Sequence, residues 1–412
     1  MEPRGSLPRR VPLALSIPGP ARYRRGHVKP DGQAPGVREP DPVPLCVDLD
    51  GTVIRSDLLW EGLVRFWRQH PFHLLRTALW WSRGRARLKA EVARRVKVPV
   101  AALPLVTEFV EHLRREHANG RTLYLVTASD RQAAQPVAER LGLFAGVLAS
   151  DGHVNLRSRA KGAYLVQRFG ERGFDYAGNS LADVAVWRHA RRALVVNAPG
   201  WLIRRAFSVA EPGGTFACPP RRGAALVRAI RPRAWWKSLL VFAPLLVGSD
   251  HAVTAGWGNA LMTALGFNMC AAAGYLWDDL MDLDADRADP VHKSQAVASG
   301  RLPLSWAAAL VPTLAAVGLL GAAMGGLGVV ALAGLYLGLA WAWAWRPRPG
   351  AGWRPWVRAV FLWLRLGAGH AATGTPITGT VAAGELVLCL ALGWALEAPW
   401  RRKSTPTRGA GE

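Results

Sequence analysis

Cysteine and acidic residues are both scarce in this chain. Only four of its 412 residues are cysteines. Cys46, Cys218, Cys270 and Cys389 lie in unrelated segments without metal-type spacing, which argues against a disulfide framework and for free thiols in a reducing compartment. Asp and Glu total 29 against 52 Lys and Arg, a formal charge of +23. Such an excess would ordinarily raise nucleic-acid binding. Here the arginines are spread through a ragged N-terminus, a soluble region and the short loops between apolar runs, so membrane topology and anionic lipid account for much of it, and no nucleic-acid partner is expected. Residues 1–42 lack sustained periodicity, are rich in Arg, Pro and Gly, and are expected to be disordered. The apolar stretch from Val11 to Ile17 is too short, and too closely flanked by prolines and arginines, for a secretory signal.

From Leu45 a short apolar strand runs straight into Asp48, Leu49, Asp50, Gly51 and Thr52. An acidic pair two residues apart at a strand exit suits a phosphate site: one carboxylate attacks phosphorus, the other handles the leaving-group proton, and loop amides hold oxyanions. A second strand, Thr122 to Val126, ends in Thr127, Ala128 and Ser129. Lys161 opens a helical stretch, and a third strand, Phe174 to Ala177, ends in Gly178, Asn179, Ser180 and Asp183. An open parallel sheet would gather these polar groups along one edge.

These four motifs, in this order over roughly 44–205, resemble the haloacid dehalogenase superfamily of phosphotransferases. The resemblance implies Asp48 as the nucleophile that becomes phosphorylated, Asp50 as general acid/base, Thr127 (with Ser129) as phosphate ligand and Lys161 as the cation steadying the phosphoryl group. It also implies Mg²⁺ between Asp48, Asp50 through its carbonyl, and the last motif, where Asn179 replaces the usual aspartate and Asp183 is the charged member. Residues 55–115 alternate apolar and basic positions at helical spacing and are expected to form a small helical cap. Arg65, Arg68, His70, Pro71, His73 and Arg76 argue against a membrane span there, and His70 and His73 read as structural or solvated. The domain is expected over 43–206, with a linker over 207–226.

Beyond the linker the composition turns membrane-like, with apolar runs at 238–248, 258–277, 303–324, 327–345, 356–373 and 379–397. Basic residues alternate between the connections so that six spans with both termini in the cytoplasm satisfy the positive-inside rule. The second run closes in Tyr-Leu-Trp-Asp-Asp-Leu-Met-Asp-Leu-Asp-Ala-Asp (275–286). On a helix Asp278, Asp279, Asp282 and Asp286 fall at about 0°, 100°, 40° and 80°, one face, while Asp284 points away. Carboxylates so close repel unless a cation sits among them, and Mg²⁺ bridging to substrate phosphates is one solution; a solvated acidic helix end is the other.

The segment Arg231 to Gly300 resembles the UbiA family of intramembrane prenyltransferases, and Ile230 to Leu246 looks like its decaprenyl-phosphate phosphoribosyltransferase branch. The resemblance implies that Asp278, Asp279, Asp282 and Asp286 hold Mg²⁺ and through it a diphosphate. Arg233 and Lys237 either contact phosphate or set topology, and Lys293 belongs to an altered basic stretch (His292 to Ala296) that would meet the substrate. The second acidic motif of the family is missing: no carboxylate stands between Tyr336 and Gly384. With six expected spans instead of about nine, the chain is expected to be truncated, frame-disrupted or dependent on a completing partner or oligomer. The expected architecture is thus an α/β Rossmann-like phosphatase domain with a helical cap, followed over 227–400 by an all-α bundle of about six helices and a basic tail over 401–412. The expected function is a multi-pass, Mg²⁺-dependent transferase moving a prenyl or phosphoribosyl group between a soluble phosphorylated molecule and a membrane lipid such as a polyprenyl phosphate, fused to a phosphatase. The alternatives are a membrane-anchored phosphatase whose spans serve only as anchor, and a non-catalytic remnant.

Overall fold

A computed structural model describes residues 42–150, 156–217, 222–247, 254–346 and 352–396. Residues 1–41 and the tail beyond 396, with the expectations made for them, lie outside the described residues, as does Cys218.

The first half is an all-parallel sheet in the order β3-β2-β1-β4-β5-β6. Its strands are β1 (Leu45–Val47), β2 (Leu123–Asp130), β3 (Gly146–Ser150), β4 (Asp175–Gly178), β5 (Arg192–Val196) and β6 (Glu211–Phe216). Leu45, Cys46 and Val47 are buried on both faces, as a central parallel strand requires. The chain reverses direction across the sheet between β1 and β4, which both pair in register from Leu45↔Asp175 to Val47↔Ala177. A crevice therefore opens at the carboxyl ends of these two strands. Motifs at their ends mark three of these strands in the sequence, β1, β2 and β4; β3, β5 and β6 are short runs without one. The 207–226 stretch is not a plain linker. Glu211–Phe216 pairs with β5 as the edge strand, its Gly and Pro residues tolerated because only one side of an edge strand needs a ladder.

Between β1 and β2 lie α1 (Leu58–Gln69), α2 (His73–Ser82), α3 (Arg85–Arg95) and α4 (Thr107–Ala118). Asp57 starts α1 by accepting bonds from the Leu59 and Trp60 amides, satisfying donors that have no partner within the helix. His73 stacks on Phe66 with ring centroids 3.9 Å apart and pairs its Nδ1 with the Phe66 carbonyl at 2.7 Å, a structural part. On the sheet flanks are α5 (Arg131–Leu141), α6 (Arg159–Phe169), α7 (Val184–Trp187) and α8 (Gly200–Phe207).

The second half comprises α9 (Arg222–Ile230), α10 (Ala243–Val247), α11 (Thr254–Met281), α12 (Leu283–Ala288), α13 (Leu304–Ala323), α14 (Leu327–Ala344), α15 (Arg354–Thr373) and α16 (Gly379–Ala395). Among the described residues three helices are long and apolar enough to cross a membrane: 256–281, 304–323 and 327–344. The other three expected spans differ for identifiable reasons. The 238–248 run is entered through a 3₁₀ segment, Pro232–Phe242, and α10 is short within the described residues. In α15, Arg354, Arg358 and Arg365 interrupt the apolar face. The helix α16 is apolar but only 17 residues long. The closest packing joins α11 to α13, where a Cβ on Gly266 would lie 2.7 Å from the Gly318 carbonyl. Small residues let two backbones meet where the surrounding medium offers no hydrophobic drive between helices.

Candidate functional site

At the strand-end crevice Asp48 follows β1 and is held by its amide bonding the Ala177 carbonyl at 2.9 Å. Lys161, on α6 and 4% exposed, donates from Nζ to Asp48 Oδ1 at 2.7 Å, to the Tyr176 hydroxyl at 3.0 Å and to the Val126 carbonyl at 3.2 Å. Burial works against its charge, but Asp48 and Asp183 more than compensate and raise its pKa above the ordinary lysine value. Burial likewise pushes Asp48 up to about 6 despite Lys161. Asp50 accepts from the Leu58 amide at 2.9 Å and the Ser129 hydroxyl at 2.6 Å. Burial, with Asp57 and Asp48 close by, pushes it up to about 7. A carboxyl poised near neutrality is suited to passing a proton in either direction.

Thr127 and Ser129 sit together on the outgoing end of β2, the Ser129 amide bonding Thr127 Oγ1 at 3.0 Å. The Thr52 hydroxyl beside the acidic pair is buried with no hydrogen-bond partner. Gly51 turns the chain with φ 79°, and a Cβ there would lie 2.0 Å from Asn179 Nδ2, so glycine is needed both for the turn and for Asn179 to lie across it. Asp183 is placed differently from the metal-ligand role expected for it. Its Oδ1 takes the Tyr176 hydroxyl at 2.8 Å, and its Oδ2 takes the Asn179 amide at 3.1 Å, the Ser180 amide at 2.9 Å and the Ser180 hydroxyl at 2.7 Å. It therefore builds the loop in a reciprocal cap with Ser180.

The second site is a cavity of about 420 Å³ at the end of the bundle that carries α12. Asp278, Asp279, Asp282 and Asp286 all line it. The helical pattern continues past the α11–α12 junction through the Asp282 amide to the Asp278 carbonyl at 2.9 Å and the Asp286 amide to the Asp282 carbonyl at 2.8 Å. Asp284 faces the other way and pairs with Arg65 of the cap. The same cavity is also lined by Arg231, Lys237, Arg346, Arg354, Arg358 and Arg365. Two expected contacts are not on this surface: Arg233 and Lys293 are exposed and do not line the cavity. Arg231 adopts φ 54° and ψ 59° ahead of Pro232, and this bend brings its own guanidinium to Asp279 at 2.5 Å. Gln295 joins Arg231 at 3.3 Å from the altered basic stretch.

Both acidic sets offer oxygen donors only, the chemistry that suits Mg²⁺. Among the described residues no group of three or more His, Cys, Asp or Glu side chains closes into a metal-holding cluster. The donors thus fit a cation that keeps one or two carboxylates and completes its shell with water and phosphate oxygens, as Mg²⁺ commonly does.

The cap connects the two sites. Glu61 on α1 is fully buried between Arg287, whose two terminal nitrogens reach its carboxylate at 2.8 Å each, and Arg65, at 2.6 Å. Burial alone would raise the Glu61 pKa, but these guanidinium groups bring it below the usual range. Arg68 donates to the carbonyls of Ala344 and Arg346, both at 2.9 Å. Lys89 on α3 reaches the Ala128 carbonyl of the strand-end site at 2.8 Å. The roles of Lys89, Tyr176, Glu61 and the cavity arginines depend on elements far apart in sequence, and no local motif marks them.

The parallel sheet, with its polar residues gathered at the strand ends, is a Rossmann-like α/β fold, joined to a helical region in which several described helices are of membrane length. The C-terminal part is similar to decaprenyl-phosphate phosphoribosyltransferases: 34% identity over 29% of this chain and 36% of the protein from Mycobacterium tuberculosis, and 33% over 29% of this chain and 38% of the one from Corynebacterium glutamicum. An uncharacterized protein of Sinorhizobium fredii is 36% identical over 63% of this chain and 50% of its own length. The chain thus spans half or less of the curated relatives it matches. No family model matches it. Among solved structures, a protein of unknown function from Bordetella pertussis is similar at 18% identity and TM-score 0.33, covering 42% of this chain and 97% of its own. A substrate-bound phosphoserine phosphatase is similar at 14% identity and TM-score 0.31, covering 46% of this chain and 98% of its own.

Proposed function

We propose that the chain is a membrane-bound, Mg²⁺-dependent transferase that moves a phosphoribosyl or prenyl group between a soluble diphosphate-type donor and a lipid such as a polyprenyl phosphate, with a fused phosphatase facing the same, cytoplasmic compartment. The observation that carries this reading is a single cavity lined by residues of both charges: Asp278, Asp279, Asp282 and Asp286 together with Arg231, Lys237 and the arginines of 346–365. An acidic wall can reach a diphosphate only through a cation, while a basic wall can touch phosphate oxygens directly. Similarity of the C-terminal part to decaprenyl-phosphate phosphoribosyltransferases supports this substrate class.

In the cavity, Mg²⁺ held by the acidic wall would supply charge neutralisation of a departing diphosphate. Arg231 keeps Asp279 oriented, and the basic wall positions the remaining phosphate oxygens. At the strand ends, Lys161 bonds one oxygen of Asp48 and leaves the other to attack phosphorus, forming an aspartyl phosphate as the ester oxygen departs. Asp50 donates its proton to that oxygen and then takes one from the water that hydrolyses the acyl phosphate. Asp48, the Asp50 carbonyl and Asn179 would hold Mg²⁺ there, with one carboxylate fewer than if Asp183 contributed.

The test is transfer of labelled phosphoribose from its diphosphate to polyprenyl phosphate in membranes containing the chain. Activity is expected and should be lost in Asp279→Asn, whereas Mg²⁺-dependent hydrolysis of an aryl phosphate should be lost in Asp48→Asn. The second reading, a membrane-anchored phosphatase, is favoured by the absence of carboxylates between Tyr336 and Gly384. Hydrolysis without any transfer would decide for it.

A further inference from the structure

Arg365 sits on α15 eleven residues from its start, about 16 Å along the helix from the cytoplasm-proposed end. It is 2% exposed, yet it lines the cavity. Its guanidinium donates to the Phe361 carbonyl at 2.8 Å and to the Tyr336 hydroxyl at 2.9 Å, and lies 4.7 Å from the centre of the Tyr336 ring. Its Nε is buried with no partner. Among the described residues no carboxylate pairs with it, and the sequence offers none between Tyr336 and Gly384. The neutral oxygens and the aromatic face orient the cation without balancing its charge.

A desolvated guanidinium in a membrane-length bundle is costly unless an anion accompanies it. Two ordinary escapes are closed. The side chain does not snorkel to an interface, because it is buried and turned into the cavity, and a helix-bridging role needs only a neutral donor. Arg354 and Arg358, four apart and eleven and seven residues before Arg365, lie on the same face of α15 and also line the cavity, so a basic track leads along the helix to this residue. The planar fork of arginine matches phosphate oxygens in pairs, which an ammonium group does not.

We propose that Arg365, steadied by Tyr336, is an anion-binding residue at the inner end of the cavity and receives a phosphate group of the transfer substrates directly, without a metal. The assignment rests on the proposed reading of the cavity as a phosphate-transfer site. The phosphate can come from the soluble donor or from the lipid acceptor.

The experiment is calorimetric binding to the purified full chain in detergent, with inorganic pyrophosphate and with farnesyl phosphate as probes, in EDTA and in Mg²⁺. In EDTA the acidic wall contributes no attraction, so binding reports the basic side. Arg365→Gln should weaken at least one probe tenfold or more in EDTA, with Arg365→Lys intermediate. Loss for pyrophosphate assigns the soluble donor, and loss for farnesyl phosphate assigns the lipid; either supports the proposal. Wild-type affinity for both probes in Arg365→Gln, with Mg²⁺-dependent binding lost in Asp279→Asn, would overturn it while leaving the cavity reading intact. No binding of either probe to the unmutated chain would overturn both. If Arg365→Gln does not fold by circular dichroism, phenylglyoxal labelling of the unmutated chain read by peptide mass spectrometry replaces it. A bound probe should protect Arg365, and equal labelling with and without probe would sink the idea.

Discussion

At the strand ends a single lysine serves Asp48, while Asp50 and Asp183 are held by backbone amides and hydroxyls. At the end of the bundle, four aspartates and several arginines line one cavity of about 420 Å³, and their positions depend on helices separated by tens of residues. The first arrangement is local: apart from Lys161 on α6, each side chain lies on or just after a strand, so the sheet delivers it. The second is collective, because only the packing of α11, α14 and α15 brings its walls together. A strand-end site should therefore fail by losing one atom, and the cavity by losing a wall or its support.

The largest expected effect comes from removing that one atom. Asp48→Asn keeps the shape and the Lys161 contact but removes the nucleophile, and aryl phosphate hydrolysis should fall by about 10³-fold or more. Transfer by the cavity should stay within about twofold, since nothing at the strand ends enters it. If both activities fell together, the two sites would not be chemically separate and the comparison would break. A somewhat smaller loss is expected for Asp50→Asn, about 10²–10⁴-fold in hydrolysis at neutral pH, the usual contribution of a positioned acid/base.

This contrast also explains what could be read from the amino-acid order. Asp48, Asp50, Thr127, Ser129 and Lys161 announce themselves because strand, turn and polar residue are contiguous, and the helical repeat alone puts Asp278, Asp279, Asp282 and Asp286 on one face. The basic wall is illegible at that level. Arg354, Arg358 and Arg365 look like charges that spoil an apolar run, and only the fold shows that they share a surface with carboxylates some eighty residues earlier. Asp183 shows the reverse limit: its position in the motif suggests a metal ligand, while its four bonds to Tyr176, Asn179 and Ser180 spend its oxygens on the loop. The choice of Arg231 over Arg233 turns on one backbone angle before Pro232, which spacing does not convey.

The support between the sites gives the next prediction. Glu61 is buried with Arg287 and Arg65 around it, so Glu61→Ala leaves two guanidinium groups without their shared partner. Removing one member of a buried ion network costs about 3–5 kcal/mol. Thermal unfolding in detergent should shift down accordingly, and protease cleavage in the cap, around α1 to α3, should accelerate. Glu61→Gln keeps one acceptor oxygen for these guanidinium groups and should lose less. An unchanged melting curve in Glu61→Ala would mean that the cap rests on the bundle without being held by it.

The smallest expected effect sharpens the contrast by separating stability from chemistry within one residue. Burial pushes Asp50 up to about 7, against an ordinary value of 3.8. Its folded form therefore binds a proton more tightly than its unfolded form, and ionisation penalises folding. The penalty is absent below pH 3.8, grows as pH rises between 3.8 and about 7, and stays constant above. Asp50→Asn resembles the protonated state at every pH, accepting from the Leu58 amide while the Ser129 hydroxyl turns to receive its amide. In metal-free buffer the variant should match the parent near pH 4 and exceed it by about 1–2 kcal/mol at pH 8, a discounted fraction of the shift because Asp50 shares its charge with Asp48. Denaturation at several pH values measures this directly. A variant less stable than the parent at pH 8 would show that the Asp50 carboxylate is favoured by its surroundings, and that the strand-end site, like the cavity, keeps its charges balanced instead of holding one of them poised.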